Sequence, residues 1–267
     1  MDFLGYAASL MMGVILGLMG GGGSILTVPI LVYLFDLPPT EAAGNSLFVV
    51  GMTALFGSLV YIRRGDVDFK TGGLFAIPSV IGVNISRGLV VPNLPNVVAN
   101  VGGFHLTKEI LVMASFAALM IAASYSMIRG RRSQAPGGGV GPARFVQVTL
   151  QGLIIGVIAG FVGAGGGFLI VPALVLLVGL PMRLAIGTSL MIIALQSLLG
   201  FAGDLMRGMA FQGTLLFGIA MTAACGIVAG ATFAHRIQEK KLKTAFGWLV
   251  LLMGASILIE QFHRLSV

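Results

Sequence analysis

The chain has 267 residues, of which 57% are hydrophobic and only 9% are charged, and its mean hydropathy is +1.02. Soluble domains carry roughly 25% charged residues, so this composition excludes a soluble globular protein and predicts a multi-pass membrane protein in a lipid bilayer. The net charge of +7 is spread over short loops, which is typical of topology signals and predicts no nucleic-acid binding, and the single Cys225 excludes a disulfide framework.

Apolar stretches long enough to span a bilayer follow one another along the chain. In the first half they cover about residues 3–35, 45–62, 71–91 and 106–128. The first of these stretches is interrupted by the run Gly20–Gly23. Four consecutive glycines are a poor helix interior, at roughly 1 kcal/mol per glycine relative to alanine, so we expect the helix to break there.

The second half repeats this order after a polar segment rich in Gly, Pro and Arg. Its apolar stretches cover about residues 145–178, 184–202, 211–234 and 242–262, and the first is broken at Gly163–Gly167. The sequence therefore predicts an all-α polytopic membrane protein with an N-terminal repeat (1–128), a cytoplasmic linker (129–144) and a C-terminal repeat (145–267).

The two halves carry the same motifs at a constant offset of 143 residues, with no gap from Gly13 to Gly65. A glycine-rich run that ends in Val-Pro occurs at 20–29 and again at 163–172, and Leu37-Pro38 aligns with Leu180-Pro181. A duplication with a helix-breaking element at the same place in each half is typical of secondary transporters. In those folds the broken helices meet near the bilayer midplane and hold the substrate.

The distribution of Lys and Arg indicates how each broken stretch meets the membrane. A single crossing places nine basic residues on one side and seven on the other, whereas a hairpin or a double crossing places twelve inside and four outside. Cytoplasmic loops carry an excess of basic residues, which favours the second arrangement. We therefore expect two inverted repeats, each with a Gly-broken hairpin or re-entrant first element plus three transmembrane helices, and both termini outside.

The glycine runs also predict the substrate site, because non-helical backbone survives in a membrane only where it is buried in protein or lines a cavity. We expect a half-helix to begin after each run, near residues 25 and 168, with free N–H groups facing a small anion. The next span of each half begins with a polar pair, and Gln196 lies two turns further on. The predicted substrate-binding residues are Gly22, Gly23, Ser24, Asn45, Ser46, Gly165, Gly166, Gly167, Thr188, Ser189 and Gln196.

Close helix packing is the alternative interpretation of the glycines, and we prefer it for the pairs Gly13/Gly17 and Gly226/Gly230. Asp66, Asp68 and Asp204 are predicted in loops, so no intramembrane carboxylate stands out as the carrier of a coupling ion, H⁺ or Na⁺. The chain has no His-Glu-x-x-His, no Gly-x-Ser-x-Gly and no phosphate loop followed by Lys-Ser or Lys-Thr. We therefore predict no enzyme, no cofactor and no metal site.

The duplicated Gly-rich run with Val-Pro, the Leu-Pro that follows and the Gly-Asn-Ser or Gly-Thr-Ser of the next span resemble the TauE/SafE sulfite exporter family of anion transporters. The resemblance covers essentially the whole chain. It implies a permease of the bacterial or archaeal inner membrane that moves sulfite, sulfonates or related organosulfur anions, usually outward. An anion channel and a membrane scaffold are the rival functions, and the particular anion, the coupling ion and a homo-oligomer stay open.

Overall fold

A computed structural model describes most of the chain as helices. It describes residues 2–37, 39–86, 93, 97–101, 104–107, 117–118, 120–122, 124–125, 127–129, 142–162, 167–206, 211 and 213–266. The elements of the first half are α1 (Asp2–Met19), a 3₁₀ segment (Gly20–Leu26), α2 (Thr27–Tyr33), α3 (Pro39–Arg63), α4 (Phe69–Ile85), β1 (Val97–Val101), β2 (Phe104–Thr107) and helical residues between 117 and 128, here α5. Those of the second half are α6 (Pro142–Val162), α7 (Gly167–Pro172), a π-helical segment (Ala173–Val178), α8 (Met182–Met206), α9 (Gly213–Ala234) and α10 (Glu239–Ser266).

The membrane-spanning helices confirm the predicted class. Within the described ranges, four helical segments are long and apolar enough to cross a bilayer, and they are Gly44–Arg63, Met182–Met206, Gly213–Ala234 and Glu239–Ile259. One element was not predicted, the antiparallel hairpin of β1 and β2, in which Asn100 pairs with His105. Valine-rich sequence favours an extended strand over a helix where the helical apolar pattern stops, as it does in β1.

The helix α8 is longer than predicted, and this corrects the position of Asp204. We expected a span over 184–202 with Asp204 in the following loop, but the helix continues to Met206. Gly203-Asp204 has the composition of a turn, yet Leu205 and Met206 continue the apolar run of the helix. Asp204 therefore lies in the last turns of a candidate membrane span.

The duplication seen in the sequence is repeated in the helix boundaries. The helices α3 and α8 both contain 25 residues, and both their first and their last residues are 143 positions apart. The ends of α1 at Met19 and of α6 at Val162 are separated by the same 143 positions. These helix boundaries are therefore equivalent in the two halves, whereas the short segments after the breaks differ: a 3₁₀ turn and α2 in the first half, α7 and a π-helical segment in the second.

The chain reverses direction at the first glycine run. Gly20 has φ +68°, a left-handed conformation that ends α1 and that glycine adopts without steric cost. Beyond this turn the chain runs back along α1, because the Thr27 hydroxyl donates to Met12 Sδ at 3.1 Å and the ring of Phe35 lies 5.5 Å from that of Tyr6. The α1–α2 unit is thus a helical hairpin.

Helices α3 and α8, the equivalent helices of the two repeats, pack against each other in opposite directions. A Cβ added to Gly57 would lie 3.1 Å from Leu190 Cδ1, and one added to Gly200 would lie 3.3 Å from Leu47 Cδ1. These two contacts exchange with each other under the offset of 143 residues. The early part of each helix therefore lies beside the late part of the other.

The first helix of each repeat packs against a helix of the other repeat. In the contact of α1 with α9, a methyl group on Gly226 would overlap the carbonyl oxygen of Leu10 and lie 3.0 Å from the nitrogen of Val14. The contact of α6 with α4 repeats this geometry with Gly82. These backbone approaches confirm the close-packing interpretation of Gly226, and Gly13, Gly17 and Gly230 make similar approaches.

The α3–α4 loop and the α9–α10 loop lie together at one end of the molecule. Arg64 donates to the carbonyl oxygen of Ala231 at 2.9 Å, and Nδ1 of His235 lies 3.8 Å from Oδ2 of Asp66. Arg183, just inside α8, donates to the carbonyl oxygen of Ile237 at 3.2 Å. Loops from both repeats are therefore joined at this end.

Candidate functional site

The broken elements of the two repeats meet in the interior of the protein. Ser24 and Gly167 occupy equivalent positions, 143 residues apart, and a Cβ on Gly167 would lie 3.1 Å from Oγ of Ser24. A Cβ on Gly20 would lie 2.7 Å from Oγ of Ser189 and 2.9 Å from Cγ2 of Val171. The 3₁₀ segment of the first repeat therefore packs against α7 and α8 of the second.

The first break differs from the predicted half-helix with free amides. We expected a helix to start near residue 25, but a 3₁₀ turn fills this segment and α2 begins at Thr27. The N–H of Thr27 donates to the carbonyl oxygen of Ser24, so the first amide of α2 is not free. Short glycine-rich segments adopt this tighter helix readily, and its i to i+3 bonds satisfy the amides that a clean break would leave free.

Two of the predicted hydroxyl groups lie at this junction. Ser24 is 4% exposed and donates to the carbonyl oxygen of Gly21 at 2.7 Å. Ser189 is fully buried and donates to the carbonyl oxygen of Ile186 at 2.8 Å. Both bonds are to carbonyl oxygens of neighbouring turns, so each hydroxyl can rotate toward a ligand without breaking a contact between helices.

Thr188 has a structural partner. Its hydroxyl oxygen accepts a hydrogen bond from the backbone N–H of Asp68 at 3.0 Å, which attaches the α3–α4 loop to α8. Gly187 supports the same contact, because a methyl group there would overlap the carbonyl oxygen of Asp66. The geometry therefore gives Thr188 a role in closing one end of the molecule.

Asn45, the equivalent of Thr188 in the first repeat, is the most informative polar residue. Its side chain is completely buried in α3, and within the described part of the chain neither its amide nitrogen nor its amide oxygen has a hydrogen-bond partner. Buried amides in native proteins are nearly always satisfied, so this group has the capacity to bind a ligand or a water molecule. The adjacent Ser46 is also buried, at 7% exposed.

Gln196 lies in a different place from the junction of the breaks. It lines a small pocket between α4 and α8 together with Asn84, Gly203 and Asp204. The residue is 7% exposed and its Oε1 has no hydrogen-bond partner among the described residues. Ser189 and Gln196, both predicted to bind the substrate, therefore lie at two separate places along α8.

Of the remaining predicted site residues, two belong to the described part of the chain and two do not. Gly22 lies in the 3₁₀ segment. Gly23 is buried against α1, since a Cβ there would lie 2.8 Å from both Leu16 and the carbonyl oxygen of Met12, so it does not face the second repeat. Gly165 and Gly166 lie outside the described residues. Within the described ranges, no group of three His, Cys, Asp or Glu residues could hold a metal ion.

Asp204 is the residue that the sequence analysis missed. The pocket-lining residues of α8 are Gln196, Leu199, Gly200, Gly203 and Asp204, which follow the i, i+4, i+8 spacing of one helix face. This spacing was visible in the sequence. Because the span was predicted to end at residue 202, Asp204 was assigned to a loop and was not considered on the same helix face as Gln196.

Comparisons with known proteins agree with these observations. The sequence profile of the family described as sulfite exporter TauE/SafE matches residues 5–257. A probable membrane transporter protein, YunE, of Bacillus subtilis (strain 168) is 30% identical over 270 residues, covering 94% of this chain and 95% of YunE. Probable membrane transporter proteins of Xylella fastidiosa (strain Temecula1) and Methanocaldococcus jannaschii are 28% identical over 269 residues and 25% identical over 261, each covering at least 91% of both chains. No solved structure matches the chain.

Proposed function

Because the chain belongs to the sulfite exporter TauE/SafE family, we propose that this membrane transporter exports sulfite, a sulfonate or a related organosulfur anion across the inner membrane of a prokaryotic cell. The observation that carries this proposal is the meeting of Ser24 and Gly167 from the two repeats beside the buried Ser189. Transporters with internal repeats bind their substrate where broken helices of the two repeats meet.

The donors around this junction suit a small oxyanion. The hydroxyls of Ser24 and Ser189 at the junction are neutral groups that can donate hydrogen bonds, and Asn45, buried in α3, carries an amide without a partner in the described part of the chain. The buried polar residues in the described part of the chain include no Lys or Arg. Neutral donors bind an anion less tightly than a buried Lys or Arg would. This suits a carrier, because a carrier must also release its substrate.

The proposed topology has inverted repeats, residues 1–128 and 145–267, joined by a cytoplasmic linker at 129–144. Three observations support it. The chain reverses at Gly20, the equivalent helices α3 and α8 are antiparallel, and the α3–α4 and α9–α10 loops share one end. A single crossing by each broken stretch would make α3 and α8 parallel and would put these two loops on opposite sides of the membrane.

The proposed mechanism is alternating access around the junction. Ser24, Asn45 and Ser189 are all less than 5% exposed, so an anion reaches them only after the repeats move apart. The contact between Asp68 and Thr188 closes one end in the present conformation. Rocking of one repeat against the other would break this contact and expose the junction to that side.

Sulfite efflux from proteoliposomes tests the function. The full chain should give saturable efflux that is accelerated by anion on the opposite side, and Asn45→Leu should reduce it strongly. Thr53→Val is the matched control, because Thr53 is fully buried in the same helix and its hydroxyl donates only to the carbonyl oxygen of Val49.

Three other results would contradict the proposed carrier or its proposed site. Single-channel currents would indicate an anion channel, and efflux of equal rate in the Asn45 variant would remove the site. A thermal-shift screen with sulfite, sulfate, thiosulfate, taurine, sulfoacetate, phosphate and chloride in which no anion stabilises the protein would favour a scaffold, since a ligand of the folded state must raise its stability.

A further inference from the structure

The pocket between α4 and α8 has features that the anion site does not explain. Its cavity volume is about 30 Å³, more than the roughly 10–15 Å³ that one bound water molecule needs. Gln196 contributes an unsatisfied, buried Oε1, and Asp204 contributes the carboxylate that the helix α8 carries near its end. A Cβ added to Gly203 would meet no atom within 4 Å, which confirms open space along this face.

The equivalent place in the other repeat is filled and satisfied. Under the offset of 143 residues, Gln196 corresponds to Thr53 and Asp204 to Tyr61. The hydroxyl of Thr53 donates to Val49, and that of Tyr61 donates to the carbonyl oxygen of Gly17 at 2.8 Å. The side chain of Ile227 fills the space beside Gly57, whereas beside its equivalent Gly200 a Cβ would meet only Leu47. Helix packing therefore does not require the polar pocket, which exists in one repeat only.

The polar groups of the pocket select a cation. A carboxylate and two amide oxygens are hard oxygen ligands, and they repel an anion. Asn84 donates through its amide nitrogen to the carbonyl oxygen of Val80 at 2.9 Å, which leaves Oδ1 as an acceptor. A carboxylate has about four lone-pair sites, so Asp204 can bind a cation while it keeps another interaction. Asp204 is the one charged residue among the described residues that line the pocket, which suits a monovalent rather than a divalent cation.

The pocket is a groove with a mouth and a floor. Residues 196 and 204 are eight positions apart, about 12 Å along a helix at roughly 1.5 Å per residue, which is too far for both side chains to touch one dehydrated ion. Gly72 contacts Met191 and Thr188, so α4 runs parallel to α8 and Asn84 lies level with the last turns of α8. Asn84 and Asp204 therefore form the mouth, and Gln196 lies deeper.

We propose that this groove binds one Na⁺ ion, held by the carboxylate of Asp204 and the amide oxygen of Asn84, with Oε1 of Gln196 reached through a water molecule. Bridging water bonds both partners almost as well as a direct contact. Helix α8 also carries Ser189 at the junction, so the ion binds a helix that contributes to the anion site. A role of Na⁺ in driving transport rests on the proposed function, but its binding does not.

Thermal stability of the detergent-purified full chain tests this site directly. The melting temperature is measured in NaCl, KCl and choline chloride at constant ionic strength. We expect a saturable rise with NaCl only, because an ion that binds the folded state stabilises it. Asp204→Asn should raise the half-saturating Na⁺ concentration by roughly tenfold or more, since it removes the charge next to the ion.

Control variants separate this site from general salt effects and from misfolding. Thr53→Val, the equivalent position in the other repeat, should leave the Na⁺ response unchanged. If Asp204→Asn fails to fold, Asn84→Ala at the exposed mouth should weaken the Na⁺ response in the same direction. Equal melting temperatures in NaCl and choline chloride, a response that persists in both variants, or a dependence on pH without one on Na⁺ would each overturn the site.

The same samples distinguish this proposal from the transport proposal. Sulfite is added in choline salts, so that no Na⁺ is present. Stabilisation by sulfite without any response to Na⁺ would remove the cation site and leave the anion site standing. Stabilisation by Na⁺ that Asp204→Asn weakens, without any response to anions, would retain the groove and remove the proposed substrate class.

Discussion

Replacing Asn45 by leucine should stabilise the folded protein while it abolishes the response to the anion. Asn45 is completely buried with both amide atoms unsatisfied in the described part of the chain, and leucine has the same number and branching of side-chain heavy atoms without polar atoms. Burial of an unsatisfied polar group costs roughly 1–3 kcal/mol in protein mutational data. We therefore expect Asn45→Leu to raise the free energy of unfolding by about 1–3 kcal/mol, because a group kept for binding is a cost to the empty state.

The melting temperature of the purified variant measures this effect. A change of 1 kcal/mol shifts it by about 2–4 °C for a chain of roughly this size. Thr53→Val removes a satisfied hydroxyl from the same helix and should change stability by about 1 kcal/mol or less in the destabilising direction. If Asn45→Leu instead lowers the melting temperature more than Thr53→Val does, the amide is a satisfied structural group and the assignment of Asn45 to the substrate site is wrong.

Three more predictions test the packing and the topology. Gly82→Ala and Gly226→Ala should each lower the melting temperature by similar amounts, because the added methyl group meets the backbone of a neighbouring helix at both positions. In Gly73→Ala the methyl group meets no atom within 4 Å, so this variant should raise the free energy of unfolding by up to about 1 kcal/mol. In a Cys225→Ala background, Arg63→Cys and Gln238→Cys should react with a membrane-impermeant maleimide from the same side, and reaction from opposite sides would contradict the inverted topology. Gly187→Ala should displace the α3–α4 loop and speed alkylation of a cysteine at the buried position Val67, whereas an unchanged rate would show that the loop does not depend on this contact.

The local features of the fold were accessible from the sequence because they depend on residues close together in the chain. The glycine run predicts the break at Gly20, where a left-handed residue ends α1. The duplication predicts the equal boundaries of α3 and α8. The basic residues of the loops predict that each broken stretch folds back, and at the first of them the chain reverses between α1 and α2.

The partners of the site residues were not accessible in this way. Asn45 and Thr188 are equivalent in sequence, yet Thr188 binds the α3–α4 loop and Asn45 is left unsatisfied. The first break was predicted as a free helix end and is a 3₁₀ turn. These differences arise from tertiary neighbours, which the local composition of a duplicated motif does not distinguish.

The sequence by itself determined the membrane environment and the position of the first break, because hydropathy and glycine content act within a few residues. Only the tertiary structure decided that the breaks meet at Ser24 and Gly167, that α1 and α6 cross to the opposite repeat, and that Asp204 shares a groove with Asn84. Such contacts join residues more than a hundred positions apart. They depend on which helix faces can approach most closely, and this is settled by small residues on two helices at once.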